Sequence, residues 1–214
     1  KINYFKFFVE NAKKNIAINK RMAEVYSKEY SQKFEIIHNA ISKEKIKEIN
    51  NNNSRKKVTY IGSIYKNAQL DSVQMIAKSV IGLSKRDINI EFEIYLPENQ
   101  FDQYKSKFPK HESIKLNINS FNDDEYFTMI SKSNLLILAS NFDNNSIGYY
   151  KYSWPAKMPS YLMSRVPIFI LGPLEIYFIS EAKKKSWALV CDKSENIEIE
   201  NSILRILFDE KVKN

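Results

Sequence analysis

With 214 residues, 43% of them apolar and 13% aromatic, the chain can fill a real core, which excludes a disordered tail, a collagen-like chain or a disulfide-stapled miniprotein. The net charge of +8 suggests nucleic acid, yet residues 1–57 hold 14 Lys/Arg against 6 Asp/Glu, while residues 58–214 hold 19 of each. The excess therefore belongs to one segment, and nucleic acid is not an expected partner.

In chain order, residues 1–57 stand apart from the rest. NIAINKRMAEVYSKEY (15–30) is expected to be helical, FEIIHNAI (34–41) a strand ending in a turn, and ISKEKIKEINNNNSRKK (41–57) a polar helix running into a linker. One strand and two or three helices make no core of their own, so this segment is expected to pack on something else or to be the remains of a domain cut away. From 57 onward short apolar runs alternate with helical patterns. VTYIG (58–62) predicts a first strand ending on Gly62, and 70–83 carries the i, i+3, i+4 apolar spacing of a helix. IEFEIYL (90–96) reads as a strand stopped by Pro97, 98–108 as a short helix, 115–119 as a weaker strand, and 123–133 as a helix opened by three acids. LLILA (135–139) is continuously apolar, as a strand covered on both faces should be. A polar loop is expected from Ser140 to Trp154, a helix at 157–164, a strand at 166–171, a helix at 175–185, a strand at 187–191 and a closing helix at 197–210. Six strands separated by helices predict an α/β fold: a Rossmann-like, doubly wound, parallel six-stranded sheet with helices on both faces. The expected boundaries are 1–56 for the connecting segment and 57–214 for the sheet domain.

Ligands of such sheets bind beyond the carboxyl ends of the strands. Gly is scarce here, with four in the chain, and Gly62, Gly148 and Gly172 are expected at strand ends or in the long loop. Gly62-Ser63-Ile64-Tyr65-Lys66-Asn67, between a strand and a helix, offers a helix terminus, a hydroxyl and an ammonium to a phosphate. It is neither GxGxxG nor a Walker loop. In the 140–154 stretch Tyr149, Tyr150, Tyr152 and Trp154 present flat faces on which sugars and bases stack. Pro155 and Pro159 bring Lys157 and Ser160 into or near the first turn of the next helix, where a lysine opposes the helix dipole unless an anion is bound. His38 and His111 are isolated, no cluster has metal-ligand spacing, and Asp123-Asp124-Glu125 reads as a helix start.

Ser153-x-Pro-x-Lys157-x-Pro-Ser160-Tyr-Leu-x-Ser-x-x-Pro167 resembles the motif in the donor half of GT-B glycosyltransferases, especially the family 4-like group of polysaccharide-assembling enzymes. The first strand ending in Gly-Ser, the Tyr-Phe pair before ISKSNLLIL and the Gly-Pro after the next strand fall in the same order, and residues 17–41 resemble the interdomain segment. The resemblance implies a nucleotide-sugar site. Gly62, Ser63, Lys66, Lys157 and Ser160 would hold the diphosphate. Tyr149, Tyr150, Lys151 and Ser153 would face the sugar or the cleft, and Phe121 would approach the base. Two departures stand out: Ser63 replaces an Arg common after the glycine, and Ser160 replaces an acidic residue.

What the resemblance implies is the C-terminal, donor-binding half of a hexosyltransferase of retaining type, working in polysaccharide or glycoconjugate assembly. The donor would be a UDP or GDP sugar and the acceptor a saccharide or a lipid-linked one, with no cofactor or metal. No catalytic residue is assigned. The chain opens on Lys1 and is read as a piece of a longer enzyme, inactive alone, whose other partner is a missing N-terminal acceptor domain. No apolar run reaches the about 20 residues of a membrane span. The first 15 residues lack the h-region and cleavage site of a signal peptide, and the lone Cys191 suggests a reducing compartment. A cytoplasmic location follows, with a peripheral contact at the inner face of the plasma membrane through Lys13, Lys14, Lys20 and Arg21. Two alternatives stay open: a degenerate nucleotide- or glycan-binding scaffold without catalysis, and a sugar-nucleotide epimerase on the same architecture.

Overall fold

The computed structural model describes residues 4–209. A first unit comprises α1 (Tyr4–Asn11), β1 (Asn15–Ala17), α2 (Lys20–Tyr30) and β2 (Phe34–Ile36). The main domain follows with β3 (Lys56–Ile61), α3 (Leu70–Ser84), β4 (Ile90–Leu96), α4 (Glu98–Tyr104), β5 (Ile114–Ile118), α5 (Asp123–Ser131), β6 (Leu135–Ala139), α6 (Asn144–Tyr150), α7 (Met158–Ser164), β7 (Ile168–Leu171), α8 (Tyr177–Lys185), β8 (Leu189–Cys191) and α9 (Asn196–Phe208). The closing helix expected at 197–210 ends at Phe208 with Asp209 as its cap, and residue 210 lies outside the described part.

All six strands of the main sheet run parallel, in the order β5-β4-β3-β6-β7-β8. This is the expected doubly wound sheet, and its order reverses between β3 and β6. Alternation along each strand divides the core. Val58 and Tyr60 of β3 and Leu135, Ile137 and Ala139 of β6 pack with α3 and α9 on one face. Ile61, Leu136 and Leu138 pack with α5, α7 and α8 on the other. The continuous apolar run of β6 is thus a strand buried on both sides.

Four differences from the sequence reading have identifiable causes. Residues 15–17, expected to be helical, form β1, paired in parallel with β2; α2 starts only after Asn19, whose side chain accepts from Met22 N at 2.8 Å. The expected polar helix at 41–57 is an extended strap with one 3₁₀ turn at Lys43–Lys45. Tertiary bonds outweigh its helical spacing. The side chains of Asn51 and Asn53 donate to the carbonyls of Ser133 and Lys132, and Asn50 N donates to Ser131 O. The asparagine run therefore fastens the strap to the end of α5. The 140–154 loop contains α6, started by Asp143, whose carboxylate accepts from Asn145 N and Ser146 N, both at 3.0 Å. Gly148 lies inside this helix with open space around it and is no loop glycine.

The first unit has little interior. Its buried apolar residues are Val9, Ala17 and Ala23, while Tyr4, Phe7, Phe8, Ile16, Ile36 and Ile37 are exposed. Phe5, Tyr26, Tyr30 and Phe34 meet edge to face on one side of it. The unit leans on the main domain: Asn19 Nδ2 donates to Tyr152 O at 2.7 Å, and Ile41 joins the second core face.

On β4, between β5 and β3, Glu91 and Glu93 are buried. Lys115 lies 2.6 Å from the Glu91 carboxylate, with Arg55 at 3.7 Å and Lys57 at 3.8 Å; Lys57 also reaches Glu93 at 3.4 Å. These pairs join the strap, β3, β4 and β5. A buried carboxylate keeps its charge only with such partners, and its removal strands the cations around it. Glu91→Ala is expected to lower stability in urea unfolding by about 2–3 kcal/mol, whereas Glu98→Ala on the exposed start of α4 stays within about 0.5 kcal/mol.

Candidate functional site

At the reversal of strand order, the carboxyl ends of β3 and β6 diverge and leave a cavity of about 460 Å³. Gly62 ends β3 at φ +127°, a conformation that favours glycine. A Cβ there would also sit 3.3 Å from Lys157 Nζ. On the neighbouring edge Gly172, which ends β7, lies so close to β6 that a Cβ would meet Ser140 O at 2.9 Å.

Lys157 precedes the first turn of α7, with Pro159 at its second position. Its ammonium turns away from solvent toward β3, donating to Ile61 O at 2.5 Å and lying 4.0 Å from the centre of the Tyr60 ring. The residue as a whole is half-buried, but the charged end is walled in, and burial pushes its pKa down to about 7. No carboxylate compensates it, and Lys157 is the single charged residue among those lining the cavity. The remaining walls are aromatic and hydroxylic: Tyr60, Tyr65, Tyr126, Tyr150, Trp154, Ser63, Ser140 and Ser153.

Of the residues read from sequence, Gly62, Ser63, Tyr150, Ser153 and Lys157 share this cavity. The Tyr60 hydroxyl, raised in pKa by its burial, donates to Ser63 O at 2.7 Å and fixes the turn. Tyr150 OH is bonded to Gln69 Nε2, which ties α6 across the cavity to the β3–α3 loop. Others lie elsewhere. The Lys66 side chain is exposed outside the cavity, and its carbonyl accepts from Asn141 Nδ2 at 2.8 Å. Tyr149 is 75% exposed, and Lys151 is exposed with its Nζ 5.7 Å from the Tyr152 ring centre. Ser160 is buried beneath the site: its hydroxyl bonds Lys157 O and the Tyr126 hydroxyl, both at 2.7 Å. Phe121 packs on Tyr95, with ring centres 5.1 Å apart, in a separate groove with Lys57 and Glu93.

Several residues that build the site escaped the sequence reading. Asn141 is the main brace behind the cavity and is not itself part of its lining. Its backbone N–H donates to Ala68 O at 2.7 Å, and its Oδ1 accepts from Ser72 N in the first turn of α3 at 3.1 Å. It thereby holds the β3–α3 loop against the end of β6 and occupies the helix terminus that the sequence assigned to phosphate. Two polar residues, Ser140 and Asn141, following a fully apolar strand were the available signal. Asn119, just past β5, and Gln69 do line the cavity. The acids at 123–125 open α5 through a capping box between Asn122 and Glu125. Among the described residues no group of three or more His, Cys, Asp or Glu is placed to hold a metal ion, and no helix is long and apolar enough to cross a membrane.

Solved structures with a similar fold include glycosyltransferases. The chain matches TarM of S. aureus, a mutant of which was solved in complex with fondaparinux, alpha-GlcNAc-glycerol and UDP, at a TM-score of 0.64 and 12% identity, over 98% of this chain and 40% of TarM. It matches WaaG, a glycosyltransferase involved in lipopolysaccharide biosynthesis, at 0.63 and 10%, over 92% of this chain and 54% of WaaG. The fold is that of the GT-B glycosyltransferases. The trehalose 6-phosphate synthase of Burkholderia multivorans matches at 0.52 and 10%, over 75% of this chain and 36% of the synthase. This chain thus spans about a third to a half of the GT-B proteins it resembles. No protein-family model and no curated protein matches it.

The walled-in ammonium makes stability depend on pH. An unfolded lysine titrates near about 10.4, so between about pH 7 and that value the unfolded chain binds more protons and stability rises with pH. In urea unfolding, wild type is expected to gain stability relative to Lys157→Met as pH rises from about 7 to 10, with no relative change below about 6. Parallel pH profiles for the two proteins would contradict the desolvated ammonium.

Proposed function

We propose that this chain is the donor-binding half of a glycosyltransferase, and that the cavity between β3 and β6 receives the diphosphate of a UDP or GDP sugar. The observation that carries this reading is Lys157: one uncompensated ammonium in a cavity whose lining is otherwise neutral. An anion entering there supplies the charge that the protein withholds, and returns the lysine to its protonated state. The Gly62–Ser63 turn allows close backbone approach, Tyr150 and Trp154 offer faces to the sugar or base, and Asn119 and Tyr126 offer polar edges.

In the proposed transfer the bond from the anomeric carbon to the β-phosphate oxygen breaks and a bond to an acceptor hydroxyl oxygen forms. The acceptor's proton is released, and the nucleoside diphosphate departs. Lys157 and the β3 turn would stabilise the charge growing on the leaving diphosphate. The acceptor wall of the cleft would come from a further part of the same enzyme. Support for this comes from β1 and β2, a parallel pair with no further strand among the described residues and with Ile16, Ile36, Phe7 and Phe8 exposed beside it. Parallel strands are ordinarily buried within larger sheets. The fit to GT-B proteins longer than this chain is in keeping with that reading.

A second reading, binding without transfer, is favoured by one observation: no carboxylate lines the cavity, and the Ser160 hydroxyl is spent on internal bonds. Titration calorimetry with UDP and GDP at about pH 8 tests the site. Binding of one of them with uptake of part of a proton, seen as a dependence on buffer ionisation enthalpy, is the expected result. Lys157→Ala should weaken that binding by about tenfold or more. Binding of neither nucleotide would overturn the donor reading.

A further inference from the structure

A second and larger concavity, about 850 Å³, lies between the first unit and the main domain, bounded by α2, residues 38–41, α7 and α8. Its chemistry differs from that of the switch-point cavity. Trp154, Tyr177 and His38 present their rings to it, with the Trp154 ring 6.1 Å from Tyr177 and 6.5 Å from His38, centre to centre. His38 is held by a 2.8 Å hydrogen bond between its Nδ1 and Ile18 O. Four cations stand around these rings, Lys20 and Arg21 on α2 and Lys184 and Lys185 on α8, against two carboxylates, Glu24 and Glu181. Lys20 and Arg21 share Glu24 at 3.9 and 3.7 Å, and Lys185 pairs with Glu181 at 2.7 Å. The wall is therefore two positive charges in excess, with cations contributed by both α2 (Lys20, Arg21) and α8 (Lys184, Lys185).

Trp154 also lines the switch-point cavity, so the two spaces share a wall. We infer that the groove binds an acidic saccharide, a sugar chain bearing phosphate, sulfate or carboxylate groups, and that such a chain is the acceptor brought beside the donor. Flat aromatic faces stack on the apolar faces of sugar rings, and lysines from α2 and α8 reach charged substituents along the chain. The word acceptor rests on the donor reading above; the binding of the saccharide does not. The groove uses α2, which belongs to the lysine-rich segment, and so gives part of the +8 charge a ligand within the protein.

The test uses the 214-residue chain with fluorescently labelled maltohexaose sulfate, neutral maltohexaose, UDP and GDP as probes. Wild type should bind the sulfated sugar and bind the neutral one far more weakly. The pair Lys20→Glu and Lys184→Glu should weaken the sulfated sugar by about tenfold or more while nucleotide binding is unchanged. The pair Lys13→Glu and Lys28→Glu, equal in charge but outside the groove, should retain at least about half of the wild-type affinity. Undiminished binding in the first pair, an equal loss in the second, or no binding by wild type would overturn the groove assignment. Binding of the sulfated sugar by a chain that binds neither UDP nor GDP would instead overturn the donor reading, and with it the acceptor role.

Discussion

An ammonium enclosed without a carboxylate is costly, and the surroundings of Lys157 are arranged around that cost. Its hydrogen bond to Ile61 O and its position over the Tyr60 ring compensate only part of the lost hydration, which is why the proton is held weakly. Glycine suits the end of β3, because its φ of +127° disfavours a side chain and a Cβ would come within 3.3 Å of the ammonium. α7 must begin where it does, since Lys157 reaches β3 from the residue before its first turn. A stable protein gains nothing from such a lysine unless an anion arrives, and the cavity beside it is open to one.

The doubly wound sheet supplies the opening. Where strand order reverses, β3 and β6 hand their chains to helices on opposite faces, so no helix crosses the gap between their ends. Asn141 then bonds the β3–α3 loop and the first turn of α3 to the end of β6, which keeps that edge from fraying. On the other side Ser160 and Tyr126 join α7 to α5 below the cavity. The floor is thus built of bonded polar side chains, while rings and the single lysine remain for a ligand. The groove on the far side of Trp154 follows from the same joint, because the first unit meets the main domain at Tyr152 and Ile41.

Strong local signals made the sheet legible in the sequence. β4 and β6 fall at 90–96 and 135–139 as expected, since Pro97 stops one and unbroken apolarity marks the other. The small elements were not legible. β1 is three residues long and adjoins a helical pattern, and α6 is a seven-residue helix held by one aspartate cap. Residues 41–57 have helical spacing but are pulled straight by bonds to α5 and Ser133, partners about 80 positions away in sequence. The same limit applies to the cavity. Gly62, Ser63 and Lys157 could be named from glycine scarcity, proline placement and the family resemblance. The bridge from Gln69 to Tyr150 and the roles of Asn119 and Asn141 depend on segments that only the fold brings together. Lys66 and Phe121 sit beside the right strands in sequence, but their side chains lie outside the cavity.

The fold is shared with GT-B glycosyltransferases, while identities of 10–12% leave the chemistry to be argued from this chain's own residues. Those residues make one central claim: an anion belongs between Gly62 and Lys157. A crystal structure of the chain grown with a UDP sugar tests it most directly. The diphosphate is expected beside the Gly62–Ser63 turn, with Lys157 Nζ withdrawn from Ile61 O and within hydrogen-bond distance of a phosphate oxygen. A nucleotide bound elsewhere, with the bond from Lys157 to Ile61 O intact, would contradict it.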